Sequence, residues 1–125
     1  ALEDFVLIAG PNHGTTVAFP ADLLGSLFET LGLGGLPVGL LPESIYQFAR
    51  GSDFVTALNA GDETPGDIDY TNLYTVFDEL VQPVSPVPTA ALDFGKDNPQ
   101  VANILLQDVC PGHLTEHITI GTTDP

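Results

Sequence analysis

Two residues, Asp78 and His117, have the side-chain types and the positions of an acid–base pair. Asp78 comes at the end of one run with the pattern of a strand, and His117 follows the next such run, 39 residues later. In a Ser–His–Asp arrangement, a carboxylate accepts a hydrogen bond from one imidazole nitrogen, and the other nitrogen takes a proton from the nucleophile. By position alone both residues are interpreted as structural, since a strand often ends in Asp and a lone His is usually structural. The alternative that the spacing allows is that Asp78 orients His117 as a general base.

Three strands are predicted to position this pair. Residues 5–9 form a short apolar run closed by Gly10 and Pro11, which is typical of a buried parallel strand. Residues 70–77 are rich in β-branched and aromatic types, and residues 101–109 form a further strand. Together with the helical stretches between them, these strands indicate an α/β fold, whose ligand sites lie beyond the carboxyl ends of the strands.

Residues 42–60 are predicted to be helical, with a break near Gly51 and Ser52. Residues 19–41 begin with leucines at helical spacing and continue with several glycines and a proline, which disfavour a helix interior. Residues 19–41 are interpreted as a short amphipathic helix followed by an apolar cap. The spacing within residues 42–60 also predicts one buried face, whose members are Ile45, Phe48, Ala49, Val55 and Leu58.

The composition limits the partners of this chain. Its 125 residues are enough for one small domain, and its net charge of −15 comes from 17 acidic and 2 basic residues. Phosphate backbones and anionic membranes bind proteins through Lys and Arg, of which this chain has two. Anionic membranes are therefore poor partners, and nucleic acid is excluded. No run of about 18 apolar residues is present, so no transmembrane segment is predicted. The acidic surface suits a secreted protein.

No cofactor and no metal are predicted, because zinc-ligand spacings and glycine-rich phosphate loops are absent from the sequence. The acidic loop at residues 61–69 is interpreted as solvated, with calcium as the alternative. His13 is interpreted as a loop residue, with a place near the active site as the alternative. Cys110, the single cysteine, is either a buried apolar side chain or has a disulfide partner outside this chain. The carboxylates of the acidic loop are Asp62, Glu63, Asp67 and Asp69.

Four segments of the sequence resemble the lipase class 2 and lipase B-like family of secreted lipases. In chain order they are AGPNHGTTVA, GSDFVTALNAGDETPG, YTNLYTVFDELVQP and NILLQDVCPGHLTEH, and the resemblance runs through most of residues 5–124. It implies an α/β-hydrolase fold and the activity of a triacylglycerol lipase or esterase. It also implies ester or acylglycerol substrates, transient contact with a lipid–water interface and an extracellular location.

The resemblance places the triad acid on Asp78 and the general base on His117, with His113 as the competing histidine. It also places the cover of the acyl pocket on the cap at residues 19–41, where ordinary core packing is the alternative. The family's cysteine in the last segment, here Cys110, is usually disulfide-bonded. The candidate substrate contacts in the cap are Leu23, Leu24, Leu27 and Phe28.

The resemblance also implies that the nucleophile is missing from this sequence. The family's serine lies in a G-x-S-x-G-type elbow upstream of the strand at residues 5–9. None of the four serines has that context; they are Ser26, Ser44, Ser52 and Ser85. Residues 1–125 are therefore expected to form the C-terminal portion of an α/β-hydrolase domain, inactive without its N-terminal half. The alternatives are a non-catalytic module that binds an apolar ligand or another protein, and a truncated inactive fragment.

Overall fold

A three-stranded parallel sheet lies at the centre of the fold. The computed structural model describes residues 2–17 and 43–122. The strands are β1 (Asp4–Ile8), β2 (Asp69–Tyr74) and β3 (Val101–Leu105), in the spatial order β1-β2-β3. Each of the three predicted strands is present, and a small parallel sheet with short helices confirms the α/β class.

The central strand, β2, is hydrogen-bonded on both edges and carries most of the buried side chains of the sheet. Tyr70, Asn72 and Tyr74 are buried at alternate positions, as the two-residue period of a strand requires. Tyr70 lies beside Phe5 of β1, and the two rings meet edge to face with their centroids 5.9 Å apart. All three strands point the same way, so the loops that follow them emerge at one edge of the sheet.

In the described part of the chain, three short helices accompany the sheet: α1 (Glu43–Gln47), α2 (Asp53–Leu58) and α3 (Leu106–Val109). The predicted break within residues 42–60 is confirmed, because α1 ends at Gln47 and Gly51, with a left-handed φ of 81°, lies in the turn before α2. Ser52 then starts α2 as its N-cap, where its Oγ accepts a hydrogen bond from the backbone N–H of Val55 at 3.1 Å.

Two details of the predicted elements are wrong. Residues 106–109 form α3 rather than the end of a strand, and Leu106, the first residue of this helix, is buried. The predicted apolar face of residues 42–60 is not buried as a unit, since Val55 is buried whereas Phe48, Ala49 and Leu58 are exposed. The helical pattern is interrupted between α1 and α2, so the spacing that defines one face across residues 42–60 does not hold through the turn. The cap at residues 19–41 lies outside the described residues.

The prediction that the first strand is buried is also wrong. Phe5, Val6 and Ile8 are 43%, 64% and 50% exposed, although successive side chains of a strand point to opposite faces of the sheet. β1 is an edge strand within the described residues, and it exposes apolar side chains on both of its faces. This composition is typical of a strand inside a parallel sheet that is covered on both sides.

Two small apolar clusters pack at the sheet within residues 2–17 and 43–122. Ala9, Leu106 and Ile120 form one, and the partly buried Cys110 packs against it as a free thiol. The other cluster contains Tyr74, Val81 and Ala90, with Leu105 packed on it. Among the described residues, no helix has the length and apolar content that crossing a membrane requires.

Buried amides join the sheet to the loop that covers it. Asn103 of β3 accepts a hydrogen bond from the backbone N–H of Leu92 at 2.9 Å and donates to the carbonyl of Leu92 at 2.6 Å. Asn72 of β2 is fully buried and donates to the carbonyl of Ala90 at 2.7 Å and to the Oδ1 of Asn103 at 3.2 Å. These bonds hold residues 90–92 against the sheet.

We predict that Asn103→Ala lowers the free energy of unfolding by about 2 kcal/mol or more, because both backbone groups of Leu92 lose their partner in a buried position. Urea denaturation of the chain measures this loss. Asp97→Ala is the matched control, since Asp97 is exposed in the preceding loop and surface changes of this kind stay within about 0.5 kcal/mol. Equal effects of the two substitutions would contradict the account.

Candidate active site

Asp78 and His117 are in direct contact at the carboxyl edge of the sheet. The Nδ1 of His117 lies 2.9 Å from the Oδ2 of Asp78, and the two residues are separated by 39 positions in the chain. The Asp78 side chain is only 2% exposed, whereas the His117 side chain is 26% exposed. The carboxylate is therefore enclosed by protein, and the imidazole remains accessible from solvent.

The turn that follows Asp78 satisfies the second oxygen of its carboxylate. The Oδ1 accepts hydrogen bonds from the backbone N–H groups of Leu80 at 2.9 Å and Val81 at 2.6 Å. The side-chain amide of Gln82 donates to the backbone carbonyl of Asp78. Hydrogen bonds from N–H groups to a carboxylate, such as the two that the Oδ1 accepts, are among the stronger ones in proteins. The carboxylate of Asp78 is therefore fixed in orientation as well as buried.

The loop after β1 supports this turn from the other side. Thr15 is buried, and its hydroxyl donates to the carbonyl of Leu80 at 2.6 Å while it accepts from the N–H of Gln82 at 3.0 Å. The N–H of Thr16 donates to the carbonyl of Gln82 at 2.8 Å. The turn that follows Asp78 is thus anchored to the loop that follows β1.

Thr75 and Gln107 connect the loop that contains Asp78 with the loop at residues 113–117, which contains His117 and is called the histidine loop below. Thr75, which is fully buried directly after β2, donates to the carbonyl of Thr115 at 2.9 Å. Gln107 of α3 donates to the Thr75 hydroxyl at 2.9 Å and to the carbonyl of His113 at 3.1 Å, and its Oε1 accepts from the N–H of Val76 at 3.1 Å. Gln107 can make these contacts because the chain turns into α3 at Leu106.

The aspartate changes the acid–base properties of the histidine. The hydrogen bond from His117 to Asp78 raises the pKa of His117 above its ordinary value of 6.5, against the opposing effect of burial. The negative charges of Asp78, Glu79 and Glu116 raise this pKa further. A carboxylate can only accept, so the bond also selects the ring form with a proton on Nδ1. The Nε2 of His117 is then the nitrogen that can accept a proton from another group.

Of the site residues predicted from the sequence, the structure brings Asp78 and His117 together. The side chain that contacts Asp78 belongs to His117, while the carbonyl of His113 serves as an acceptor for Gln107. Ser52 is occupied as the cap of α2, with its hydroxyl donating to the carbonyl of Gln47 at 2.7 Å. The predicted substrate contacts of the cap lie outside the described residues; they are Leu23, Leu24, Leu27 and Phe28.

His13 has a defined environment that its place in a loop did not reveal. Its Nε2 lies 3.0 Å from a carboxylate oxygen of Glu63, and its Nδ1 lies 3.2 Å from the carbonyl of Thr89. The other oxygen of Glu63 accepts from the N–H of Asp93 at 2.8 Å, and Lys96 forms an ion pair with Asp93. These residues line an open cavity of about 370 Å³ that does not include Asp78 or His117.

The acidic loop at residues 61–69 is only partly solvated. Glu63 is half-buried in its pairing with His13, and Asp62 accepts a hydrogen bond from the N–H of Thr64 at 3.0 Å. Within residues 2–17 and 43–122, no group of three or more His, Cys, Asp or Glu side chains is arranged to hold a metal ion. Glu63 and Asp62 therefore have protein partners, whereas Asp67 and Asp69 are exposed to solvent, as the interpretation as a solvated loop predicts.

Comparisons with known proteins do not assign a family. No protein-family model matches the chain, and a search of curated proteins finds no significant relative. The assignment of a function therefore depends on the geometry of the site and on the resemblance of the four sequence segments.

The raised pKa of His117 predicts how stability depends on pH. A group with a higher pKa in the folded chain stabilises the fold when protonated, so this contribution is complete below about pH 6.5 and is lost as the pH rises through the folded pKa. We expect urea denaturation between pH 6 and 9 to show a falling free energy of unfolding that becomes less steep in Asp78→Asn and in His117→Gln.

The comparison isolates His117, because the other two histidines remain in all three chains. The slope with pH is the diagnostic quantity, since Asp78→Asn also lowers stability at every pH through its effect on the turn. Identical slopes in the three chains would contradict a coupling of His117 to Asp78.

Proposed function

We propose that this chain supplies the acid and the base of a secreted serine hydrolase that cleaves carboxylic esters, with acylglycerols or similar esters as substrates. The observation that carries the proposal is the 2.9 Å contact between the Nδ1 of His117 and the buried carboxylate of Asp78. The pair lies beyond the carboxyl ends of parallel strands, where α/β proteins place their ligand sites. The resemblance to class 2 lipases puts the triad acid and base on these same two residues.

In the proposed reaction, a serine from polypeptide outside residues 1–125 attacks the ester carbonyl. The Nε2 of His117 takes the serine proton as the oxygen–carbon bond forms, and Asp78 stabilises the resulting imidazolium. His117 then gives this proton to the alkoxide of the leaving alcohol, which leaves an acyl-enzyme. Water releases the acid by the same steps, with His117 accepting the proton of the water and returning it to the serine.

The exposed edge of β1 supports the proposal that the nucleophile comes from an adjacent strand. β1 is the edge strand of the sheet that the described residues form, and its apolar composition suits the interior of a parallel sheet. A further strand paired with β1 would cover this edge and would end on the side of the sheet where Asp78 and His117 meet. In this proposal the chain is the C-terminal portion of an α/β-hydrolase sheet, and the cap at residues 19–41 covers the acyl group at a lipid–water interface.

The test is the release of p-nitrophenol from short-chain and long-chain esters. We expect no activity from the chain alone and activity after fusion to the N-terminal half of a class 2 lipase that carries the G-x-S-x-G elbow. Asp78→Ala and His117→Ala in the fusion should each lower the rate by about 10³-fold or more, because a triad acts as a unit.

His113→Ala is the matched control, and its rate should stay within about tenfold of the parent fusion, since the proposal gives its ring no part in proton transfer. A severe loss in His113→Ala with a mild loss in His117→Ala would reverse the assignment of the base. Activity of the chain alone would mean that one of its own serines is the nucleophile. A folded but inactive fusion that binds long-chain esters would favour the role of a binding module.

A further inference from the structure

The residue after Asp78 also contacts His117. The Oε2 of Glu79 accepts a hydrogen bond from the backbone N–H of His117 at 3.1 Å, while Asp78 accepts from the ring of the same residue at 2.9 Å. Two consecutive carboxylates of one loop therefore bind one histidine at two different places. The ring contact orients the imidazole about its side-chain bonds, and the backbone contact fixes the point from which the side chain extends.

The histidine loop needs such a contact because it is not part of the sheet. Residues 113–116 lie in neither a helix nor a strand, so the regular ladders of the fold do not set their position. The loop is bonded instead through Thr75 to the carbonyl of Thr115 and through Gln107 to the carbonyl of His113. These contacts act two and four residues before His117, whereas Glu79 acts on His117 itself.

We propose that Glu79 is a positioning residue, whose carboxylate holds the backbone of His117 so that the imidazole stays aligned with Asp78. The role of Glu79 in ester hydrolysis rests on the function proposed above, whereas its contact with the backbone of His117 is independent of that function. The pairing gives a structural role to the glutamate that follows the acid in the segment FDELVQP. Glutamine at this position would keep an acceptor for the N–H group, and alanine would remove it.

Glu79 acts on His117 through charge as well as through the hydrogen bond, and the two effects can be separated. The charged groups that raise the pKa of His117 are Asp78, Glu79 and Glu116. Glu116 differs from Glu79 in its bond, because its carboxylate accepts from the N–H of Thr119 at 3.0 Å. Glu116 is therefore a matched control that shares the charge effect on His117 without the bond to its backbone.

The experiment measures two properties of His117 by NMR in the ¹⁵N-labelled chain: the titration of its ring and the hydrogen exchange of its backbone N–H. In Glu79→Ala we expect the pKa of His117 to fall and its N–H to exchange about tenfold faster, which corresponds to the loss of one hydrogen bond. Glu79→Gln should lower the pKa but keep the N–H protected. Glu116→Gln should likewise lower the pKa and leave the exchange of the His117 N–H unchanged.

Unchanged exchange in Glu79→Ala, or equally fast exchange in Glu116→Gln, would overturn the proposal. If Glu79→Ala does not fold, the decision rests on Glu79→Gln, where unprotected exchange of the His117 N–H overturns the proposal and protection with a lowered pKa supports it. None of these readouts requires ester hydrolysis. An inactive fusion would therefore count against the proposed function alone, and unchanged exchange would count against the role of Glu79 alone.

Discussion

The arrangement of this site depends on the need to stabilise one buried carboxylate. A charge removed from water is costly unless hydrogen bonds replace its hydration, and Asp78 is almost completely buried. Its Oδ1 receives the backbone N–H groups of Leu80 and Val81, so the turn that follows the aspartate must keep its shape. Its Oδ2 receives the ring of His117. The same bonds that make burial of the charge acceptable also determine where the histidine ring lies and which nitrogen it presents.

Hydrogen bonds from the surrounding loops and from α3 hold the segments before and after Asp78 in place. Thr15 joins the turn after Asp78 to the loop that follows β1. Gln107 and Thr75 join the segment before Asp78 to the loop that leads to His117. Polar groups are thus prominent in the centre of the described residues, where the largest fully buried side chains belong to Asn72, Thr75 and Thr89. Networks of this kind hold a defined geometry because each member that loses its partner is left unsatisfied in a place that water does not reach.

Much of this arrangement was predictable from the pattern of the sequence, and the rest depends on long-range contacts. The three strands follow from β-branched and apolar runs, and the break near Gly51 follows from its tolerance of a left-handed conformation. The switch from β3 into α3 was not predicted, because the apolar run continues through Leu106 and only Gln107 and Asp108 interrupt it. The pairing of His13 with Glu63 was not predictable either, since it joins loops 50 residues apart. The exposure of β1 depends on which elements pack against it, and the sequence of residues 5–9 alone does not predict those neighbours.

The contact between Asp78 and His117 is the central claim, and the tautomer of His117 tests it most directly. ¹⁵N NMR of the two ring nitrogens, recorded above the pH at which His117 titrates, identifies which of them carries the proton. The account predicts a proton on Nδ1 and a bare Nε2, and it predicts that this preference is lost in Asp78→Ala. A neutral ring with its proton on Nε2 in the unsubstituted chain would contradict the account, because such a ring can neither donate to Asp78 through Nδ1 nor accept a proton from a nucleophile through Nε2.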